Sequence, residues 1–163
     1  MLLARLVFVS TATLLLTAHA FTAQAPSPAA SRFIGAWRML SFQSFDQNGT
    51  ARPGNYDVGF IVYDASGRMS AQLMHSSNKA SAPLTTDADR AAASRRYLGY
   101  WGPFTVHEAK GIVIHHVEGS SNPSWVGGDQ VRYYSFGADG RLTLSVKNGE
   151  RVTSTLVWER IAR

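Results

Sequence analysis

From Arg141 to Lys147 the chain alternates without a break: Leu142, Leu144 and Val146 lie between Arg141, Thr143, Ser145 and Lys147. That period of two puts one face of a strand in a core and the other in solvent. Turn signals bracket it, Ala138-Asp139-Gly140 before and Asn148-Gly149 after. Earlier turns, Asn48-Gly49 and Asp64-Ala65-Ser66-Gly67, separate similar runs, and Asn-Gly is a strong hairpin signal. Strands are expected at Phe33–Phe45, Val58–Tyr63, Met69–Met74, Phe104–Val106, Ile112–Val117, Gln130–Phe136, Leu142–Val146 and Val152–Ile161. One helix is expected, Thr86–Leu98, with Thr86 as cap, Asp89 in the capping-box position and Gly99 as terminator. Eight strands in hairpin order leave two edges unless the sheet closes. The expected fold is therefore all-β: an eight-stranded antiparallel up-and-down barrel with one short α-helix between strands 3 and 4.

Residues 1–25 have the pattern of a secretory signal: Arg5, an apolar run from Leu6, and small-x-small sites ending at Ala20 and Ala25. The run is too short for a stable membrane span. Residues 26–31, rich in Pro, Ala and Ser, read as an extended linker, and 32–163 as the folded domain. The 163 residues include no cysteine, which excludes disulfides, thiolate chemistry and a thioether lipid anchor. A periplasmic or secreted location follows from the leader, with cleavage near Ala20 or Ala25. Without Arg5, 15 basic residues face 11 acidic ones, and the charge falls from +5 to +4. These charges are scattered, so nucleic acid is not an expected partner.

Gly35-x-Trp37 at the start of the first strand resembles the lipocalin signature, and Arg160 resembles the late arginine that covers that tryptophan. More broadly, Phe33–Arg160 resembles the bacterial and fungal lipocalin-like domain family. The resemblance rests on GAWRMLSF, GRMSAQLM, YLGYWGPF, HHVEGSSNPSWVGGDQVRYY and LVWERI. It implies an eight-stranded barrel around a central cavity, with Trp37 and Arg160 as a structural pair at its closed end.

The candidate site residues lie mainly between Ile112 and Phe136. Neighbours in a strand point to opposite faces, so His115 and His116 cannot both face a cavity or form a two-histidine metal site. His115 is assigned inward because Glu118 shares the face of His116. Its two readings are a hydrogen-bonded wall histidine and an acid/base. If Ala138–Gly140 is a three-residue turn, Phe136 opposes Leu142, and Arg132, Tyr134 and Phe136 share the inner face. A buried guanidinium needs a partner, either an internal carboxylate such as Glu118 or Asp129, or a ligand acid. Trp125 lines the rim or plugs its own loop, while Tyr97, Tyr100 and Trp101 offer a lid edge. Tyr63 completes the expected cavity set of Arg132, His115, Tyr134, Phe136 and Trp125. His107-Glu108-Ala109-Lys110-Gly111 starts like a zinc helix but lacks its second histidine, and no pattern calls for a metal or cofactor.

The expected function is binding of a small, largely apolar molecule, with or without an acid group, in the barrel. The alternative is a cofactor-independent isomerase or cyclase using His115 and Arg132 in the same cavity. A filled barrel with a scaffold role is the third.

Overall fold

A computed structural model describes residues 27–79 and 83–162; the leader expected over 1–25 lies outside them. Where a linker was expected, Ser27 caps a helix, α1 (Pro28–Phe33), its hydroxyl accepting from the Ala30 N–H at 3.2 Å. Proline at the first helical position supplies a preset φ and lacks a donor that would go unused there. Ala29 and Phe33 are buried, so α1 is part of the domain and the extended-linker reading is corrected over residues 28–31.

The strands are β1 (Gly35–Phe45), β2 (Ala51–Pro53), β3 (Val58–Tyr63), β4 (Arg68–Met74), β5 (Tyr97–His107), β6 (Ile112–His116), β7 (Gly119–Ser120), β8 (Asp129–Phe136), β9 (Leu142–Asn148) and β10 (Arg151–Arg160). Each long strand pairs antiparallel with its chain neighbour, and β10 pairs back onto β1, closing an eight-stranded barrel. The short β2 and β7 pair outside that ring, on β1 and β5. The second helix, α2 (Asp87–Arg95), carries the expected Thr86–Asp89 capping box. With the short β2 counted it lies between β4 and β5, not between strands 3 and 4, and α1 precedes β1. It stops at Arg95 because Tyr97 and Leu98 are already paired to Met74 and Leu73. None of its residues is buried, consistent with its thin apolar stripe.

Register follows side-chain parity. Phe136 opposes Leu142 and Tyr134 opposes Leu144, as the three-residue turn requires. In β4, Met69, Ala71 and Leu73 are buried while Ser70 and Gln72 are less so. Register shifts at Met39/Ser41 in β1 and Val152/Ser154 in β10 bend the two strands that close the ring. Gly102 makes another bend possible. A Cβ there would lie 1.8 Å from the His116 carbonyl oxygen, where β5 leaves β6 and picks up β7.

The end of the barrel beneath α1 is packed solid. Phe33 is fully buried and meets Tyr63, Tyr134 and Phe136 edge-on, with ring centroids 5.1, 4.9 and 5.2 Å away. The Trp37 indole N–H donates to the Phe33 carbonyl at 2.8 Å, and the Arg160 guanidinium lies 4.1 Å over the Trp37 ring. Arg160 also donates to the carbonyls of Ile34 and Arg32, which capping by α1's own chain leaves open. Gly35 makes room for it with φ of 132°, and a Cβ there would stand 2.5 Å from the guanidinium.

Candidate ligand-binding cavity

Above this floor the strands diverge around a cavity of about 310 Å³. Ile61, Ala71, Leu73, Leu144, Leu156 and Trp158 line it with apolar surface, joined by Phe42, Tyr56, Leu98 and Trp125. The parity that buries Leu144 also turns Arg132 inward, two residues above Tyr134 on β8. Arg132 is 9% exposed and lines the cavity with Gln130. Its guanidinium donates to its neighbour's carbonyl, Val131 O, at 2.9 Å and to Gln130 Oε1 at 3.3 Å. The Trp125 ring lies 6.0 Å from it.

Neither carboxylate considered as its partner reaches it. Glu118 pairs with Arg68 on the outer face, a hydrogen bond that holds the Glu118 carboxyl below its ordinary range. Asp129 accepts from His116 Nδ1 at 2.7 Å, also outside. Among the described residues, Arg132 has no acidic partner.

His115 is 1% exposed and stands behind this wall. Its Nε2 is 2.8 Å from the Tyr63 hydroxyl and its Nδ1 is 3.0 Å from the Tyr100 hydroxyl. Burial, aided by the Arg132 charge and by His116, holds the imidazole well below its ordinary pKa, so it is neutral. Burial likewise raises both phenols, while Arg132 pulls each back down. Trp158, on the cavity floor, carries the one buried side-chain polar atom without a hydrogen-bond partner among the described residues, its Nε1–H.

Residues 34–161 match the family described as the lipocalin-like domain. The chain belongs to that lipocalin-like family. One relative, the 4'-hydroxy-3'-methoxypropiophenone carrier protein of Aspergillus oryzae, is 38% identical over 89 residues, covering 48% of this chain and 79% of its own. A solved structure of a redesigned β-barrel aligns with a TM-score of 0.44 at 10% identity, over 85% of this chain and 100% of that one.

Within this lipocalin-like barrel, two of the six residues expected to form the cavity line it: Arg132 and Trp125. Trp125 ends a short helical turn (Pro123–Trp125) capped by Asn122 and meets Tyr100 edge-on at 5.4 Å on the cavity wall. His115 and Tyr63 lie one layer behind, and Tyr134 and Phe136 belong to the aromatic floor. All four pack toward the barrel interior, Phe33 lying against Tyr63, Tyr134 and Phe136 and Tyr100 against His115. Leu73 and Trp158 also line the cavity, though no sequence signal marks them as site residues. Tyr100 was noted as a lid edge; its register opposite Ser120 turns it inward instead.

Keeping His115 neutral links stability to pH. Unfolding returns the imidazole to its ordinary pKa of 6.5, so below that pH the unfolded chain binds a proton that the folded one does not. Stability should fall as pH drops from 6.5, at a limiting slope of about 1.4 kcal/mol per pH unit. Urea unfolding of wild type and His115→Gln at successive pH values measures this. A slope equally steep in both proteins between the imidazole and carboxylate ranges would exclude His115 as its source.

Proposed function

We propose that the protein is a carrier of a compact, largely apolar molecule bearing an oxygen acceptor, a carboxylate or a carbonyl, held on Arg132. The observation that carries this reading is a buried guanidinium on an apolar cavity with no carboxylate among the described residues to neutralise it. Buried charges are ordinarily paired, so the site has capacity for an acceptor. A volume of about 310 Å³ lies at the small end of ligand sites, favouring a ring-sized ligand over a long acyl chain. The carrier named for an aryl ketone supports both the size and the oxygen. The binding reading is preferred to the catalytic one because both nitrogens of His115 are engaged by tyrosines and neither opens onto the cavity.

The experiment is calorimetric titration of 4'-hydroxy-3'-methoxypropiophenone into wild type and Ala71→Phe, whose added ring would occupy the cavity body. One-to-one binding to wild type is expected, with affinity at least tenfold lower in the variant, about 1.4 kcal/mol. Equal affinities would contradict the assignment of the cavity.

A periplasmic or secreted location is part of the proposal, supported by the leader pattern and the missing cysteines. N-terminal sequencing of protein from its source should begin at Phe21 or Pro26; a retained Met1 would contradict it.

A further inference from the structure

Tyr63, His115, Tyr100 and Arg132 form a chain from the packed floor to the cavity, and the protons along it can be assigned. A neutral imidazole has one N–H and one bare nitrogen. Tyr63 is 1% exposed, is packed against Phe33 and Phe104, and has His115 Nε2 as its hydroxyl's partner at 2.8 Å. With the ring proton on Nε2, Tyr63 would accept it, and its own O–H would be left without an acceptor. A buried donor left unpaired costs more than a spare lone pair on an oxygen already bonded. Tyr63 therefore donates to Nε2, and the ring proton sits on Nδ1.

The consequence reaches the cavity. Nδ1–H donates to the Tyr100 hydroxyl oxygen, 3.0 Å away. Tyr100 cannot return its own proton to His115, and Arg132 beside it is a donor without lone pairs. Its O–H is left to the cavity that Tyr100 lines. Gln130, which also lines the cavity, accepts from Arg132 through its Oε1 at 3.3 Å. The buried residues at the cavity thus present donors: the Arg132 guanidinium, the Tyr100 hydroxyl and the Trp158 indole N–H.

We propose that Tyr100 and Arg132 form a paired-donor head site for a carbonyl or carboxylate oxygen, with His115 as the positioning residue that aims the Tyr100 proton. A carbonyl or carboxylate oxygen has two acceptor lone pairs, one for each donor, whereas a methylene in its place offers none. The inference rests on the carrier reading for its ligand, and on the wall alone for its proton assignment.

Two measurements test it separately. The first is the nitrogen spectrum of His115 in the ligand-free protein, where a proton on Nδ1 is expected and a proton on Nε2 overturns the head site. The second is titration of wild type and Tyr100→Phe with 4'-hydroxy-3'-methoxypropiophenone and with 2-methoxy-4-propylphenol, which has a methylene in place of the carbonyl. The ketone should lose roughly three- to tenfold on substitution, one hydrogen bond's worth, while the methylene compound changes little. Equal changes for the two would overturn the head site. Failure of both probes to bind wild type would overturn the carrier reading and remove the head site's ligand with it. Nε2 protonation with binding intact would overturn the head site alone.

Discussion

Replacing Trp37 by alanine should cost about 3–5 kcal/mol, the range for emptying a large aromatic site in a core. Trp37 is fully buried, and three contacts converge on it. Its N–H ties β1 to the last carbonyl of α1 at 2.8 Å, its ring supports Arg160 at 4.1 Å, and Phe136 lies 6.1 Å away. The truncation would leave the Phe33 carbonyl and the Arg160 face unsupported, loosening the helix that closes the barrel. Urea unfolding of Trp37→Ala beside Leu84→Ala, a change at a residue 54% exposed, measures the difference. The exposed site should stay within about 0.5 kcal/mol of wild type. Equal midpoints for the two variants would show that the pair contributes nothing to closure.

Replacing Arg132 by methionine should weaken an acidic ligand far more than its alcohol, by about 1.5–3 kcal/mol for one charge-assisted hydrogen bond. Methionine keeps the apolar stem that packs beside Trp125 while removing every donor. Glu118 and Asp129 are committed to Arg68 and His116 on the outer face, so neither stands ready to mask the loss. Calorimetry with 3-(4-hydroxy-3-methoxyphenyl)propanoic acid and the corresponding propanol, on both proteins, gives the difference directly. Equal losses for acid and alcohol would remove Arg132 from ligand recognition.

The ring of strands was legible because alternation and turn chemistry are local: Leu142–Val146 and its flanking turns define a strand in any context. Parity allows only one of His115 and His116 to face inward, and it puts Arg132 on the face of Leu144. Depth along the barrel was not legible, because it depends on strand tilt and on which side chains meet across the interior. Tyr134 and Phe136 share Arg132's face, yet they end in the floor because Phe33 rises between them. Phe33 gets there on α1, whose Pro, Ala and Ser composition resembles a linker. Its one local helix signal is Ser27 followed by Pro28. Tyr100 escaped for a related reason. The Thr86–Leu98 pattern was extended as helix, whereas pairing with β4 takes Tyr97 and Leu98 into β5 and sets Tyr100's direction.

The most direct measurement of the central claim is the set of nuclear Overhauser contacts between 4'-hydroxy-3'-methoxypropiophenone and the methyl-labelled protein. Leu73, Leu144 and Leu156 sit on different strands and converge only inside the barrel. Contacts from the ring protons to all three, at one-to-one stoichiometry, are the expected result. Contacts confined to Leu40 and Ala51, which line a groove on the outside of β1 and β2, would contradict it.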